Sequence, residues 1–429
     1  MLEPQSTVLF VLLLVIFGVL MWRMLVTRRA AFRVFAACLA FVPAMLFGVL
    51  AVNKYYGYYQ TWGALFADLT HQSASAATQL PDVRLAADSR SGTLDGSHAD
   101  LSQAQQEGYL VRLQVTGSRS DITREVYVYL PPQYFWPAYQ AYRFPAIELI
   151  HGQPGGPQDW ITVVGVTRTF DHLLAAKLAQ PAVLVMPDAN GGEKISLQCL
   201  NQAGGPRDLT YLAQDLPARI TREVRVARPG PAWGVAGYSE GGFCAANMAL
   251  RYPRGYGFAG VLSGYFQPMS NHLAGSSRLV SPFGGNSRLR EQNTPQDELQ
   301  MLSPAAVIPR FWLAAGAADG QDVANAERFW RELRLRQQDA PLTLTRGTGH
   351  TMTTWRAEVP AMLRWMTRGL ARAAGPHKAL HKAPRPAKTY VLAAKGSATG
   401  LPHPRRQRGQ SGAGSAIMAV PISTKPILA

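Results

Sequence analysis

The chain has 429 residues, 47% of them hydrophobic, and a formal net charge of +16, enough for one large domain with accessory segments. The charge sits at the ends: residues 372–429 hold ten Lys/Arg and no acid, residues 1–60 carry a net +4, and about +2 is left for everything between. A near-neutral centre implies no basic groove for nucleic acid and leaves the positive charge to the two termini.

Val8 to Val26 is an apolar run with one charge, Arg23, near its end, and Val34 to Val52 is a second run with none. Each is long enough to cross a ~30 Å hydrocarbon core as a helix. Pro43 falls inside the second, which membranes tolerate. A cleaved signal peptide is the rival reading of the first run. It lacks a basic leader, since only Glu3 is charged there, and a second run follows at once. Residues 1–67 are therefore expected to form a membrane anchor of two helices, about 8–26 and 34–52. The connection holds Arg28, Arg29 and Arg33. By the positive-inside rule it is cytoplasmic, so everything after residue 53 faces outward. Tyr55, Tyr56, Tyr58, Tyr59 and Trp62 suit an interfacial aromatic belt or, alternatively, a segment packed on the soluble domain.

Residues 68–106 are rich in Ser, Ala, Gln, Asp and Gly and read as a flexible linker. Strand patterns then cover 109–115 and 124–130, separated by Gly117-Ser-Arg-Ser-Asp121, which predicts an antiparallel hairpin. Strands and helices alternate from there. Strands are expected at 146–150, 182–186, 233–237, 260–263, 311–315 and 342–345. Helices are expected at 170–178, 211–224, 243–251, 325–338 and 359–372. Such alternation predicts an α/β fold with a mainly parallel central sheet flanked by helices. Residues 264–310 are less regular and are expected to supply a cap or substrate-side loops.

Gly237-Tyr-Ser239-Glu-Gly241 is a G-x-S-x-G pentapeptide between a small apolar strand and a helix, the pattern of a nucleophile elbow. The pentapeptide alone is a weak signal; its flanks strengthen it. A serine nucleophile needs a base, and the base an orienting acid. After Ser239 the acid candidate is Asp319, just past a strand end where active sites of open α/β sheets collect, with Asp322 as its understudy. The plain alternative for Asp319 is a loop residue capping the next helix. The base candidate is His350, on a glycine-rich loop after the last strand. His151 competes, but the turn His151-Gly-Gln-Pro-Gly-Gly156 lies where the second oxyanion-hole amide arises. The backbone N–H groups of Gln153 and Glu240 are the expected donors. Glu240 is expected to turn its carboxylate to the substrate mouth or to solvent. Cys199 and Cys244 pair if the domain lies outside the cytoplasm; otherwise they are buried thiols. Cys38 falls in the second apolar run and reads as inert. The sequence offers no metal cluster, dinucleotide fingerprint or phosphate loop, so no cofactor is expected.

Residues 107–372 resemble the esterase D-type esterases, a family that includes S-formylglutathione hydrolases, feruloyl esterases and mycolyltransferases. The resemblance rests on Val126-Tyr-Val-Tyr-Leu-Pro-Pro132, His151-Gly-Gln153, Asp215-Leu-Pro217, Gly237-Tyr-Ser-Glu-Gly-Gly242, Leu262-Ser-Gly264, Pro282-Phe-Gly-Gly285, and Gly349-His350 with Trp355. It implies an α/β-hydrolase fold with Ser239, Asp319 and His350 as the triad. The two-span anchor and basic tail lie outside the family pattern, and the segment around Cys199 is not general to it. The expectation is an extracytoplasmic, membrane-anchored serine esterase acting on an ester or acyl donor. The alternatives are an envelope acyltransferase of the same fold and a catalytically silent binding or structural domain. Residues 373–429, rich in Ala, Pro, Gly, Lys and Arg, read as a disordered tail, either solvated or touching anionic envelope polymers.

Overall fold

The computed structural model describes residues 2–69, 104–192, 196–269, 271–272, 279–280, 282–303 and 305–375. Most of the expected linker and nearly all of the basic tail lie outside the described residues.

Two long helices open the chain, α1 (Thr7–Val26) and α2 (Ala30–Tyr56), followed by a short α3 (Trp62–Leu69). Both long helices are apolar around most of their circumference, and residues such as Val15, Val34, Phe35 and Phe41 are exposed. They pack on each other through Leu9, Leu13 and Leu50. By length and composition both can cross a membrane. α2 ends at Gly57, which takes a left-handed conformation (φ 71°) and returns its N–H to the Asn53 carbonyl. Glycine reaches that conformation without a Cβ penalty.

The end of the expected linker already packs on the domain: Ala104 is buried, and Gln105 donates to the Phe135 carbonyl and accepts from the Trp136 ring N–H. An eight-stranded sheet follows, in the order β1-β2-β4-β3-β5-β6-β9-β10. Its strands are β1 (Tyr109–Thr116), β2 (Thr123–Leu130), β3 (Ala146–Ile150), β4 (Val183–Pro187), β5 (Gly230–Tyr238), β6 (Tyr256–Leu262), β9 (Arg310–Gly316) and β10 (Leu342–Thr345). β1 and β2 form the expected antiparallel hairpin, and β2 also runs antiparallel to β4. From β4 to β10 all pairings are parallel. A two-stranded ribbon, β7 (Asn271–His272) with β8 (Leu279–Val280), lies apart.

The central strands are buried on both faces. Val183 and Val185 join one core cluster while Leu184 and Met186 join the other, the period-two alternation of a covered strand. Helix Glu240–Arg251 and helix Gly320–Leu335 cover the first face, through Phe243, Met248, Phe329 and Leu333. Helix Val166–Ala175 and the closing helix Met352–Ala374 cover the second, through Phe170, Val359, Met362 and Met366.

Several helix boundaries differ from expectation, each for a local reason. The helix expected over 211–224 is broken into Asp208–Thr210, a wide π turn Tyr211–Asp215, and Leu216–Glu223. Pro217 has no N–H and its ring clashes with a carbonyl one turn back, which the widened turn relieves. The closing helix starts at Met352, not Val359, and runs through Pro360, because Thr351 caps it by accepting the Thr354 N–H. The helix expected from Asn325 starts at Gly320, which changes the assignment of the acid below.

Candidate active site

β5 and β3 lie side by side with Gly237 opposite Ile150, so the elbow and the His151 turn leave the sheet together. Ser239 has φ 56° and ψ −122°, a conformation that L side chains rarely adopt. Two glycines make the turn possible. A Cβ on Gly237 would lie 2.1 Å from the Gly241 carbonyl oxygen, and one on Gly241 would lie 2.2 Å from that of Ile150. The serine N–H is held by the Leu262 carbonyl at 2.9 Å. Ser239 thus stands as N-cap of helix Glu240–Arg251, whose first N–H groups have no intrahelical acceptors.

His350 comes from the loop between β10 and the closing helix. Its Nε2 lies 2.8 Å from Ser239 Oγ, and its Nδ1 lies 2.7 Å from Asp322 Oδ2. Since Asp322 can only accept when ionised, Nδ1 carries the proton and Nε2 is left to accept from the serine. The loop is fixed by Thr354, whose hydroxyl reaches Thr348 Oγ1 at 2.7 Å and the Gly349 carbonyl at 2.6 Å. Trp355 meets the His350 ring edge-on at 5.2 Å and stacks on Tyr238 at 4.5 Å, so elbow and histidine loop share one aromatic support.

The carboxylate on His350 is therefore Asp322 and not Asp319. Asp319 is the N-cap of helix Gly320–Leu335, accepting the N–H groups of Gln321 and Asp322 at 3.0 Å each. This is the plain capping role weighed against it. Its signal, a short acidic residue ahead of a helix, is hidden while the helix is expected from Asn325, five residues beyond its actual start. With the helix beginning at Gly320, Asp322 falls in the first turn, and its side chain leans back over the N-terminus toward His350. The carboxylates of Asp319 and Asp322 and the His350 ring do lie within 4.8 Å of one another and could hold a cation by position. One oxygen of each aspartate is engaged, by the cap amides and by the imidazole, and both His350 nitrogens are taken up by Asp322 and Ser239.

On the other side of Ser239 lies a buried polar network. Glu240 does not face the mouth: it is 4% exposed. Its Oε1 accepts from Asn190 Nδ2 at 3.0 Å and its Oε2 from the Ser196 hydroxyl. Burial raises its pKa, and these hydrogen bonds oppose the rise. Asn190 Nδ2 also lies 3.2 Å from Gln153 Oε1, and Asn190 Oδ1 accepts the Leu197 N–H at 3.0 Å. Glu240 and Gln153, the two expected amide contributors, are thus bridged by one asparagine. His151, the competing base, is occupied. Its Nε2 accepts the Ala189 N–H at 3.0 Å, which leaves the proton on Nδ1, 2.8 Å from the Gly152 carbonyl. A disulfide joins Cys199 to Cys244 and ties this loop to the elbow helix, both residues being fully buried. In the sequence the Asp188-Ala-Asn-Gly191 stretch marks only the end of a strand, and nothing in it signals that Asn190, buried in the structure, is the bridge.

Residues 118–366 match the family model described as "Putative esterase". An uncharacterized protein of Corynebacterium glutamicum is 25% identical over 275 residues, 62% of this chain, and the chain spans 63% of that relative's length. A solved ferulic acid esterase superposes with a TM-score of 0.52 at 17% identity, over 62% of this chain and 98% of its own. An S-formylglutathione hydrolase of Agrobacterium tumefaciens gives 0.48 at 16% identity, over 62% and 96%.

Proposed function

The chain belongs to the "Putative esterase" family, and on that premise we propose that it is a membrane-anchored serine esterase, working outside the cytoplasm through Ser239, His350 and Asp322. The carrying observation is the continuous relay from Asp322 through both nitrogens of His350 to Ser239, at 2.7 and 2.8 Å. His350 Nε2 takes the Ser239 proton as Oγ attacks the ester carbonyl, and the imidazolium that forms is held by Asp322. The oxyanion rests on the Glu240 and Gln153 N–H groups, aided by the N-terminal dipole of the elbow helix. Collapse expels the alcohol, which takes the proton from His350 and leaves an acyl-Ser239 ester. Water, deprotonated by His350, then attacks that ester and frees the acid and the serine.

Three features support the outward orientation. α1 and α2 are long and apolar enough to span. Arg28, Arg29 and Arg33 favour a cytoplasmic connection. Cys199–Cys244 is a disulfide, a bond that persists in oxidising compartments.

The test is labelling by a fluorophosphonate probe together with hydrolysis of a short-chain ester. Wild type should label and turn over; Ser239→Ala should do neither while its thermal unfolding stays unchanged. Equal labelling of the two proteins would sink the proposal.

A further inference from the structure

The segment that leaves the membrane hairpin is fastened on both sides. Toward the hairpin, Asn53 exchanges hydrogen bonds with the Tyr59 backbone at 2.8 and 2.9 Å. Toward the domain, the Arg356 guanidinium donates to the carbonyls of Gly57 at 2.6 Å and Tyr58 at 2.8 Å, and its Nε to that of Val163 at 2.5 Å. Three carbonyls around one planar fork is a geometry that lysine cannot reproduce. Tyr58 packs against the core cluster that contains Trp160, Tyr238 and Trp355. A Cβ on Gly57 would lie 2.5 Å from Thr353 Oγ1. Thr353 sits in the first turn of the closing helix, three residues after His350.

This clasp removes slack that the covalent chain would otherwise allow. About 45 residues separate Tyr58 from Ala104 along the chain, so a contact made at Gly57 and Tyr58 sets the distance more closely than chain connectivity does. α2 has 27 residues, about 40 Å of helix against a ~30 Å hydrocarbon core. With the uncharged run Val34–Val52 filling that core, the Asn53–Tyr56 end of the helix falls in the headgroup zone, beside the clasp. The loop carrying His350 is then held within a few helical turns of the bilayer. A site fixed there meets esters carried by the bilayer at a high local concentration and gains nothing for esters in bulk water.

We propose that the Arg356 clasp holds the catalytic site at the membrane surface to act on an acyl ester carried by a membrane lipid. The proposal rests on the esterase reading above. It is tested with the full chain in phosphatidylcholine–phosphatidylglycerol vesicles, offered either a fluorogenic long-chain lipid ester in the same bilayer or a water-soluble short-chain ester. Arg356→Ala opens the clasp from the domain side. Gly57→Val opens it from the anchor side and leaves every domain residue in place. Wild type should prefer the lipid ester. Both variants should lose about tenfold on it while keeping the soluble ester rate. Soluble turnover without lipid turnover in wild type, or lipid turnover unchanged in Gly57→Val, would overturn the proposal and leave the esterase standing. Turnover of neither ester would overturn both.

Discussion

Two carboxylates flank Ser239, the proposed nucleophile, one on each side of the elbow, and their partners differ. Asp322 lies beside a histidine whose side chain is 38% exposed, with an imidazole nitrogen as its partner. Glu240 is sealed behind the serine with a hydroxyl and an amide as its partners. The same functional group is thereby put to different uses. In the proposed reaction the histidine side sets a negative charge against a ring that becomes positive, so the ion pair would strengthen as the transition state forms. On the turn side the charge that develops in the proposed reaction is the oxyanion, negative like a carboxylate, so the carboxyl group cannot stabilise it directly. Its hydrogen bonds serve geometry, holding the two amide-bearing segments at a fixed separation.

The widest gap should therefore open between the two aspartates of the histidine side. Asp322→Asn keeps the shape but loses the charge and the tautomer control. We expect kcat to fall about a thousandfold to ten-thousandfold, with KM for a short-chain ester nearly unchanged. Asp319→Ala should leave kcat within about threefold and cost about 1 kcal/mol of stability through the lost cap. Steady-state kinetics and thermal unfolding on both variants measure that gap, and a larger kcat loss in Asp319→Ala would reverse the assignment.

On the turn side the effect should be smaller and should not depend on charge. Glu240→Ala leaves Asn190 and Ser196 without their acceptor, and we expect kcat to fall about tenfold to a hundredfold as the oxyanion donors drift. Glu240→Gln can still accept from Asn190 and donate to Ser196, so it should recover most of that loss. A Gln variant as impaired as the Ala variant would mean the charge itself matters, and the contrast between the two sides would fail.

How far the sequence reached follows the same division. The elbow was legible because steric crowding at Gly237 and Gly241 leaves a signature that only glycine satisfies. The strands were legible because a covered sheet demands unbroken small or branched apolar runs, as in Val183–Met186. His350 was legible as a histidine following a final strand on a glycine-rich loop. Asp322 stands second to Asp319 in the sequence because the choice between them turns on a helix boundary. Boundaries are set by caps such as Asp319 and Thr351, whose one or two hydrogen bonds leave little trace in periodicity. The Glu240–Asn190 network and the Arg356 clasp were not legible at all. Each joins segments far apart in the chain through polar atoms, and a chain read along its length carries no record of which polar groups will meet.

The least effect on turnover is expected from a third carboxyl group, which extends the turn side into the sheet. Glu148 is fully buried on β3, two residues before the end of the strand that feeds the His151 turn. One oxygen accepts from the Tyr256 hydroxyl at 3.0 Å, and the other has no hydrogen-bond partner among the described residues. Burial pushes its pKa up to about 8, and the tyrosine opposes only part of the rise. The folded state therefore holds this proton more tightly than the unfolded chain does. Its contribution to stability is fully present below about pH 4.5, is lost as pH rises toward 8, and amounts to a few kcal/mol at most. Glu148→Gln fixes the neutral form and keeps an acceptor for Tyr256. Wild type and variant should unfold at nearly the same temperature near pH 5, and the variant should be the more stable by pH 9. Parallel curves across that range would mean that Glu148 ionises freely, and that the turn side tolerates a charge as readily as the histidine side uses one.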